Sequence, residues 1–479
     1  MKNYENYISK SEIEKIHEYT LRILSEIGIK FEHEGALTLF KKHGARVENE
    51  TVFIPESLLN EVLKYAKKQF TIKSCKGNLE IGSGQQYGVP ILGNVYRHHN
   101  HGGIKKMTNQ DVIDQFKLSD TSDITKVSTM NYFLSYDDSY SENQKVFGNV
   151  AMVLKYSQKP MLMSAPNTFI IDSKEKGSEA YRKSLELVNR FEGTEGTHSA
   201  YVVNTLSPLT LDHDPIERIF ILAETQQAMI ITPCAMPLMT APPSLASIIA
   251  MTNAEILAGY TLAKLVNPDA NIVYGNTSAA TDMRTIQLAI GSPECSLVIY
   301  AVAGLADLYG LPFRTGGSLS DAKELDVQAG AESMMNILTT RNAGADIVFH
   351  TCGCMGSFNV SDFEKFLVDE EIHHMACRMT EGINCNDENF CFDLLKKTGP
   401  RGVFLKGRTP KMYREEVYLP KYFNKDDPNQ WQNKGSISVN DRVEDEVKKR
   451  LESFVPADIT KEQAEILNPY IHEKYRDML

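Results

Sequence analysis

Apolar positions in the first hundred residues recur at helical spacing and then alternate. Ile13, Ile16, Ile23, Leu24 and Ile27 predict an amphipathic helix over 11–27, and Ser11 with Glu14 reads as its capping box. Residues 34–42 and 55–67 predict two more helices, with a strand-like run at 47–54 between them. From about residue 107 the pattern changes. Short apolar runs at 127–134, 161–164, 200–204, 229–234, 271–274, 311–314 and 346–350 predict strands, with helical spacing between them. Helix starts are marked by Asp214-Pro215 with Glu217, by Ser292-Pro293-Glu294, and by Ser361 with Glu364.

Strands alternating with helices predict a parallel β/α architecture. An open doubly wound sheet is one solution; a (β/α)8 TIM barrel fits a span of about 300 residues better. Residues 402–405, or a strand from the N-terminal region, are the expected source of the eighth strand. The chain thus divides into an α/β cap over 1–106, a catalytic barrel over 107–411 and a C-terminal helical arm over 412–479. The arm holds the single tryptophan, Trp431, and a charged helix at 439–454.

Composition narrows the class. The 479 residues are 42% hydrophobic and 24% charged, which excludes a disordered or fibrous chain. A net charge of −11 argues against nucleic acid as a partner. The uncharged run 225–254 is broken by Pro233, Pro237, Pro242 and Pro243, so it does not predict a membrane span. The N-terminus is charged from the start, and eight cysteines make no disulfide framework. A cytoplasmic enzyme with reduced thiols is expected.

Candidate chemistry sits where two predicted strands end, at Arg314 and His350, because active sites of parallel β/α folds lie at the carboxyl ends of strands. The tract His350-Thr351-Cys352-Gly353-Cys354 admits a zinc reading, but its spacing is tight for one tetrahedral site. Arg97-His98-His99-Asn100-His101-Gly102-Gly103 reads as a surface turn. Asp282 and Arg284 either orient a charged substrate or hold their own loop as an ion pair. Gln328 and Glu332 share one helix face. No phosphate-binding loop or nucleophile elbow is present.

The stretches 253–259, 291–294, 311–332 and 363–370 resemble the trimethylamine methyltransferase family, and the N-terminal cap and Trp431 tail extend the likeness over nearly the whole chain. The resemblance implies a TIM-barrel fold and transfer of a methyl group from a methylated amine to the cobalt of a separate corrinoid protein. The founding enzymes use pyrrolysine, whereas this chain holds only standard residues. It therefore resembles the non-pyrrolysine branch, whose donors are quaternary amines such as glycine betaine, proline betaine, carnitine and γ-butyrobetaine. A quaternary ammonium already carries its activating charge, so no catalytic residue beyond positioning is required, and His350 is the best candidate for that role. Aromatic faces for the ammonium are sought in Tyr96, Tyr132, Tyr274 and Phe358. Donors to a carboxylate are sought in Arg314 and His350, with Asn131 and Gln328. No metal and no tightly bound cofactor is expected, the cobalamin arriving on the partner, and a homo-oligomer is admitted. Two other readings stand beside this one. The first is a zinc-dependent methyltransferase or hydrolase using His350 with Cys352 or Cys354. The second is a non-catalytic quaternary-amine binding protein.

Overall fold

The computed structural model describes residues 4–477 apart from Ser164 and Lys406. Its centre is a parallel sheet built from β1 (Tyr87–Gly88), β2 (Ala200–Asn204), β3 (Ala228–Thr232), β4 (Ile272–Gly275), β5 (Phe313–Gly316) and β6 (Ile347–Phe349). The spatial order is β1-β6-β5-β4-β3-β2, every neighbouring pair parallel. Isolated parallel bridges, Gly88 to Thr125 and Ser128 to Met161, carry the pairing beyond β1. The strand expected at 127–134 is thus reduced to a single bridge. The one expected at 161–164 keeps a bridge at Met161 and ends on Ser164, outside the described residues. Residues 402–405 form no strand; the N-terminal region supplies β1.

Helices pack on the outside of the sheet. The main ones are α1 (Leu245–Val266), α2 (Pro293–Tyr309), α3 (Val327–Ala343) and α4 (Phe363–Glu381). Strand alternation divides the apolar residues between two cores. Tyr87, Val127, Leu162, Ile230, Val273, Ile347 and Phe349 meet on the inner side, closed at one end by the hairpin Phe70–Ile72 with Leu79–Ile81. Met229, Ile231, Tyr274 and Phe313 face outward against α1 and α2. Helix α1 is long and apolar enough to cross a membrane, yet 83% of its most apolar window is buried in this protein. Its polar side chains are engaged. Glu255 accepts from the Leu209 N–H and the Ser207 hydroxyl, both at 2.8 Å, and Lys264 donates to the carbonyls of Tyr65 and Ala270 at 2.8 Å.

Several local expectations shift. The first helix starts at Lys10, and its capping box is Ser9 with Glu12, not Ser11 with Glu14; its last turn, Ile23–Ile27, widens to a π-helix. The run 47–54 is two strands, Arg46–Glu48 and Thr51–Phe53, paired antiparallel. Asp212 rather than Asp214 precedes His213–Glu224, and Asp362 rather than Ser361 caps α4. The Ser292 cap of α2 is as expected. Such shifts come from several acceptors competing within one turn of a helix start.

The ends of β5 and β6 are tied to the helices by one buried ion pair. Asp369 accepts at one oxygen from Lys365 Nζ (2.7 Å), the Gly353 N–H (2.7 Å) and the Ser318 hydroxyl (2.8 Å). Lys365 also donates to the Ser333 hydroxyl at 2.8 Å. Both side chains are at most 1% exposed. Replacing one partner strands the other charge in low dielectric, at a cost of about 3–5 kcal/mol. Lys365→Met is therefore expected to lower unfolding free energy by that amount in a urea titration, and an unchanged midpoint would contradict the role given to the pair.

Candidate functional site

Arg314 is the second residue of β5, and alternation turns it inward where Phe313 turns outward. It is 3% exposed. Its guanidinium lies 4.0 Å over the Phe349 ring, and Nη1 comes within 3.5 Å of the Thr232 hydroxyl at the end of β3. Nε is buried without a partner. Among the described residues no carboxylate pairs with this cation. Burial pulls its pKa down to about 9, opposed only by the Cys234 thiol. A desolvated, unneutralised guanidinium is costly, and an incoming anion would relieve that cost.

His350 follows β6 with a backbone φ of +51°, and Phe358 stands at +75°. Left-handed backbone at bulky residues is strained and collects at functional sites. The two rings lie 4.8 Å apart. The residue as a whole is only partly covered, but its Nδ1 is buried without a partner. Burial, and then the Arg314 charge, hold the imidazole down to about 3. It is therefore neutral at physiological pH and adds no positive charge beside Arg314. Gly317 lets the loops after β5 and β6 touch, since a Cβ there would sit 2.8 Å from the Thr351 Cα.

Tyr96 joins this group through the backbone. Its N–H, and that of Val95, donate to the Asn359 carbonyl at 3.0 and 3.2 Å, one residue past Phe358. It stands 43% exposed at the rim. On the other side of that loop opens a cavity of about 930 Å³, lined by Leu92, Val95, Asn131, Tyr132, Tyr181 and Arg218 among others. Asn131 shapes its wall, accepting from the Gly93 N–H at 2.8 Å and donating to Asn94 at 2.7 Å. Tyr132 packs edge-on against Phe169 at 5.9 Å, and its phenol donates to the Pro166 carbonyl at 3.2 Å.

The structure does not bring the other candidates to this place. Tyr274 is fully buried on the outer face of β4, its hydroxyl donating to Asn253 at 2.7 Å. Gln328 is exposed on α3 and donates to Glu332 at 2.8 Å. Arg284 is 88% exposed and bonds Asp282 within its own hairpin turn, which matches the loop-holding reading. Cys352 packs with Phe363 and Leu367, whereas Cys354 faces the main core, so the two thiols do not converge with His350. Burial raises both, Cys354 to about 12, so neither is a ready thiolate ligand. The cluster His33, His213 and Glu217 has ligand atoms within 4.8 Å of one another. Both ring nitrogens of His33 are already engaged, Nδ1 by the Ala36 N–H and Nε2 by Glu217, so it acts as a tie between two helices.

Residues missed by sequence reasoning include Thr232, Phe349, Tyr181, Tyr201 and Arg218. Thr232 and Phe349 lay at or beside predicted strand ends and were open to the same argument as Arg314. Arg218 sits inside a helix with no spacing signal. It donates to the Val202 carbonyl at 2.9 Å and lies 4.8 Å over the Tyr181 ring.

Beside the carboxyl ends of the parallel strands the described residues thus place a buried cation without a carboxylate partner and aromatic faces. Residues 2–478 match the family described as trimethylamine methyltransferase (MTTB). The chain belongs to that family. It is 36% identical to proline betaine:corrinoid methyltransferase of Eubacterium limosum, over 98% of each chain. It is 32% identical to L-carnitine:corrinoid methyltransferase of the same organism, again over 98% of each. Among solved structures, the hydroxylamine complex of MtmB superposes with a TM-score of 0.52 at 11% identity, covering 96% of this chain and 85% of that one. That likeness concerns the fold alone.

The low His350 pKa has a direction. In the unfolded chain its ordinary value is 6.5; folded, it is about 3. Between those values only the unfolded state binds the proton, so acidification through this window destabilises the fold and raising the pH restores it. His373, held to about 4, acts the same way. His350→Asn is expected to flatten the stability–pH slope between pH 4 and 6.5 by at most about 1.4 kcal/mol per pH unit. Urea titrations across that window measure it, and an unchanged slope would mean that the ring is solvated.

Proposed function

We propose that this enzyme moves a methyl group from a betaine-type quaternary amine to Co(I) of a separate corrinoid protein. The observation that carries the reading is Arg314: a buried guanidinium without a carboxylate partner among the described residues, stacked on the Phe349 ring, with the His350–Phe358 ring pair following the adjacent strand. A betaine supplies both complements. Its carboxylate neutralises Arg314, with His350 as a neutral hydrogen-bonding neighbour, and its ammonium lies toward Phe358 and Tyr96. Trimethylamine has no carboxylate and would leave the cation unpaired. The names of the relatives, both of which denote carboxylate-bearing quaternary amines, support the same choice.

The transfer needs no general acid. As the methyl–cobalt bond forms, the carbon–nitrogen bond breaks, and the amine leaves neutral with the electron pair. The residues of this chain hold the donor in line and exclude water. We take the six strands and the bridged segments around Ser128 and Met161 to close as a (β/α)8 barrel, since side chains from seven of these eight, Tyr87, Val127, Leu162, Ala200, Ile230, Val273 and Ile347, share one interior. The corrinoid then approaches from the carboxyl ends of the strands, and the enzyme itself holds no tight cofactor. We place the enzyme in the cytoplasm.

A donor screen tests this with the corrinoid protein, or free Co(I)-cobalamin, as acceptor. Proline betaine, carnitine or glycine betaine should be demethylated in preference to trimethylamine, and activity on trimethylamine alone would sink the reading. Arg314→Gln should lower kcat/KM for the betaine by roughly 30- to 5,000-fold, a loss of about 2–5 kcal/mol of transition-state stabilisation, while changing turnover of choline, which lacks the carboxylate, far less.

A further inference from the structure

The described residues of the segment 382–417 form a length of chain that the body does not bury. Two short helices lie in it, Phe392–Thr398 and Lys411–Glu416, of seven and six residues, and neither has a buried residue. Ile383, Phe390, Phe392, Val403, Phe404 and Leu405 are all exposed, Ile383 at 85% and Phe392 at 72%. Helices this short are not stable alone in water, and an uncovered apolar set of this size marks an interaction surface. From residue 394 to 414 the sequence also carries seven lysines and arginines and no acidic residue, in a chain of net charge −11.

The place of this segment selects its partner. Helix α4 begins near the site, where its cap residue Asp362 pairs with His98 at 2.6 Å and its Asp369 holds the Gly353 N–H. It ends at the opposite face. Thr380 accepts from Arg341 at 3.3 Å, and Arg341 donates at 3.2 Å to Gln86, the residue before β1 begins. The segment therefore springs from the amino ends of the strands, away from Arg314 and His350. Both of its ends are tied to α4 by Arg378, which donates to the Gly382 and Glu416 carbonyls at 2.8 Å, and the chain settles on the body where Glu371 accepts from the N–H groups of Lys421 and Tyr422 at 2.9 and 2.6 Å. A methyl acceptor has to reach the other face, so it is not the natural occupant here.

We propose that residues 382–417 are a dimerisation arm that docks on a second copy of this chain. The apolar residues are covered by the partner copy, and the basic run lies against its acidic surface. The exchange is reciprocal and closes with two-fold symmetry, leaving the carboxyl-end face of each copy open. The arm stands independently of the donor assigned above.

Light scattering on the full-length protein tests this at micromolar concentration, at low and at high salt. A particle of twice the 53.8 kDa chain mass is expected, weakened by salt. The double variant Phe392→Asp, Phe404→Asp should be monomeric with an unchanged circular dichroism spectrum. Hydrogen exchange on the wild type needs no variant: arm amides should be protected in concentrated solution and lose protection on dilution. A monomer whose arm amides exchange freely at every concentration would overturn the proposal, as would a dimer indifferent to the double variant. Arm protection that appears only with vesicles of anionic lipid would reassign the arm to a membrane surface and overturn it equally.

Discussion

One carboxylate oxygen of Asp369 gathers an ammonium, a backbone N–H and a hydroxyl from three different parts of the chain. Ser318 comes from the loop after β5, Gly353 from the loop after β6, and Lys365 from the first turn of α4, with Ser333 of α3 completing the lysine's partners. These are the loops that carry the chain on from Arg314 and His350. In low dielectric neither charge tolerates losing the other, so the arrangement behaves as a unit with few alternative geometries. The strained backbone of His350 and Phe358 persists because such ties over-determine the loops around it.

Above that anchor the site is electrostatically unbalanced. Among the described residues Arg314 is buried without a carboxylate partner, and His350 is kept neutral by the same burial and by its neighbour's charge. The imbalance suits a zwitterion. On the function proposed above, a neutral imidazole would not repel the ammonium of the donor, and the guanidinium would give the carboxylate end a defined place. Because Arg314 and His350 belong to adjacent strands, sheet register sets how the two sit relative to each other. Arg314 pairs with Ile347, so His350 emerges beyond it along the strand direction. On that proposal, selectivity among betaines would turn on the separation between the guanidinium and the aromatic faces.

Much of the architecture was legible because it rests on local patterning. Buried parallel strands must be apolar on both faces, which is why 200–204 and 229–234 stood out, and proline after a capping serine marked the start of α2. The segment 127–134 misled because an apolar run looks the same whether or not its backbone finds ladder partners. Here the pairing stops at its first two residues, Val127 reaching Gly88 and Ser128 bridging to Met161. β1 escaped notice for the opposite reason: two residues, Tyr87 and Gly88, are too few to leave a period. Asp369 and Lys365 entered only within the stretch 363–370 that carries the family likeness, since nothing four residues apart on a helix says that both charges will be buried.

The sequence by itself determined the alternation of strands and helices, the two strands with which Arg314 and His350 are associated (though the first runs on past Arg314 to Gly316 and the second stops before His350), and a family likeness strong enough to imply the chemistry. Each of these depends on residue order within a few turns of chain. Tertiary structure decided which candidates meet. It set Tyr274 outward against Asn253 and Arg314 inward against Phe349, left Gln328 in solvent, and divided Cys352 and Cys354 between two cores. The direction of a side chain at a strand end, and whether a counter-charge waits there, depend on register and on segments hundreds of residues away. No local pattern carries that information.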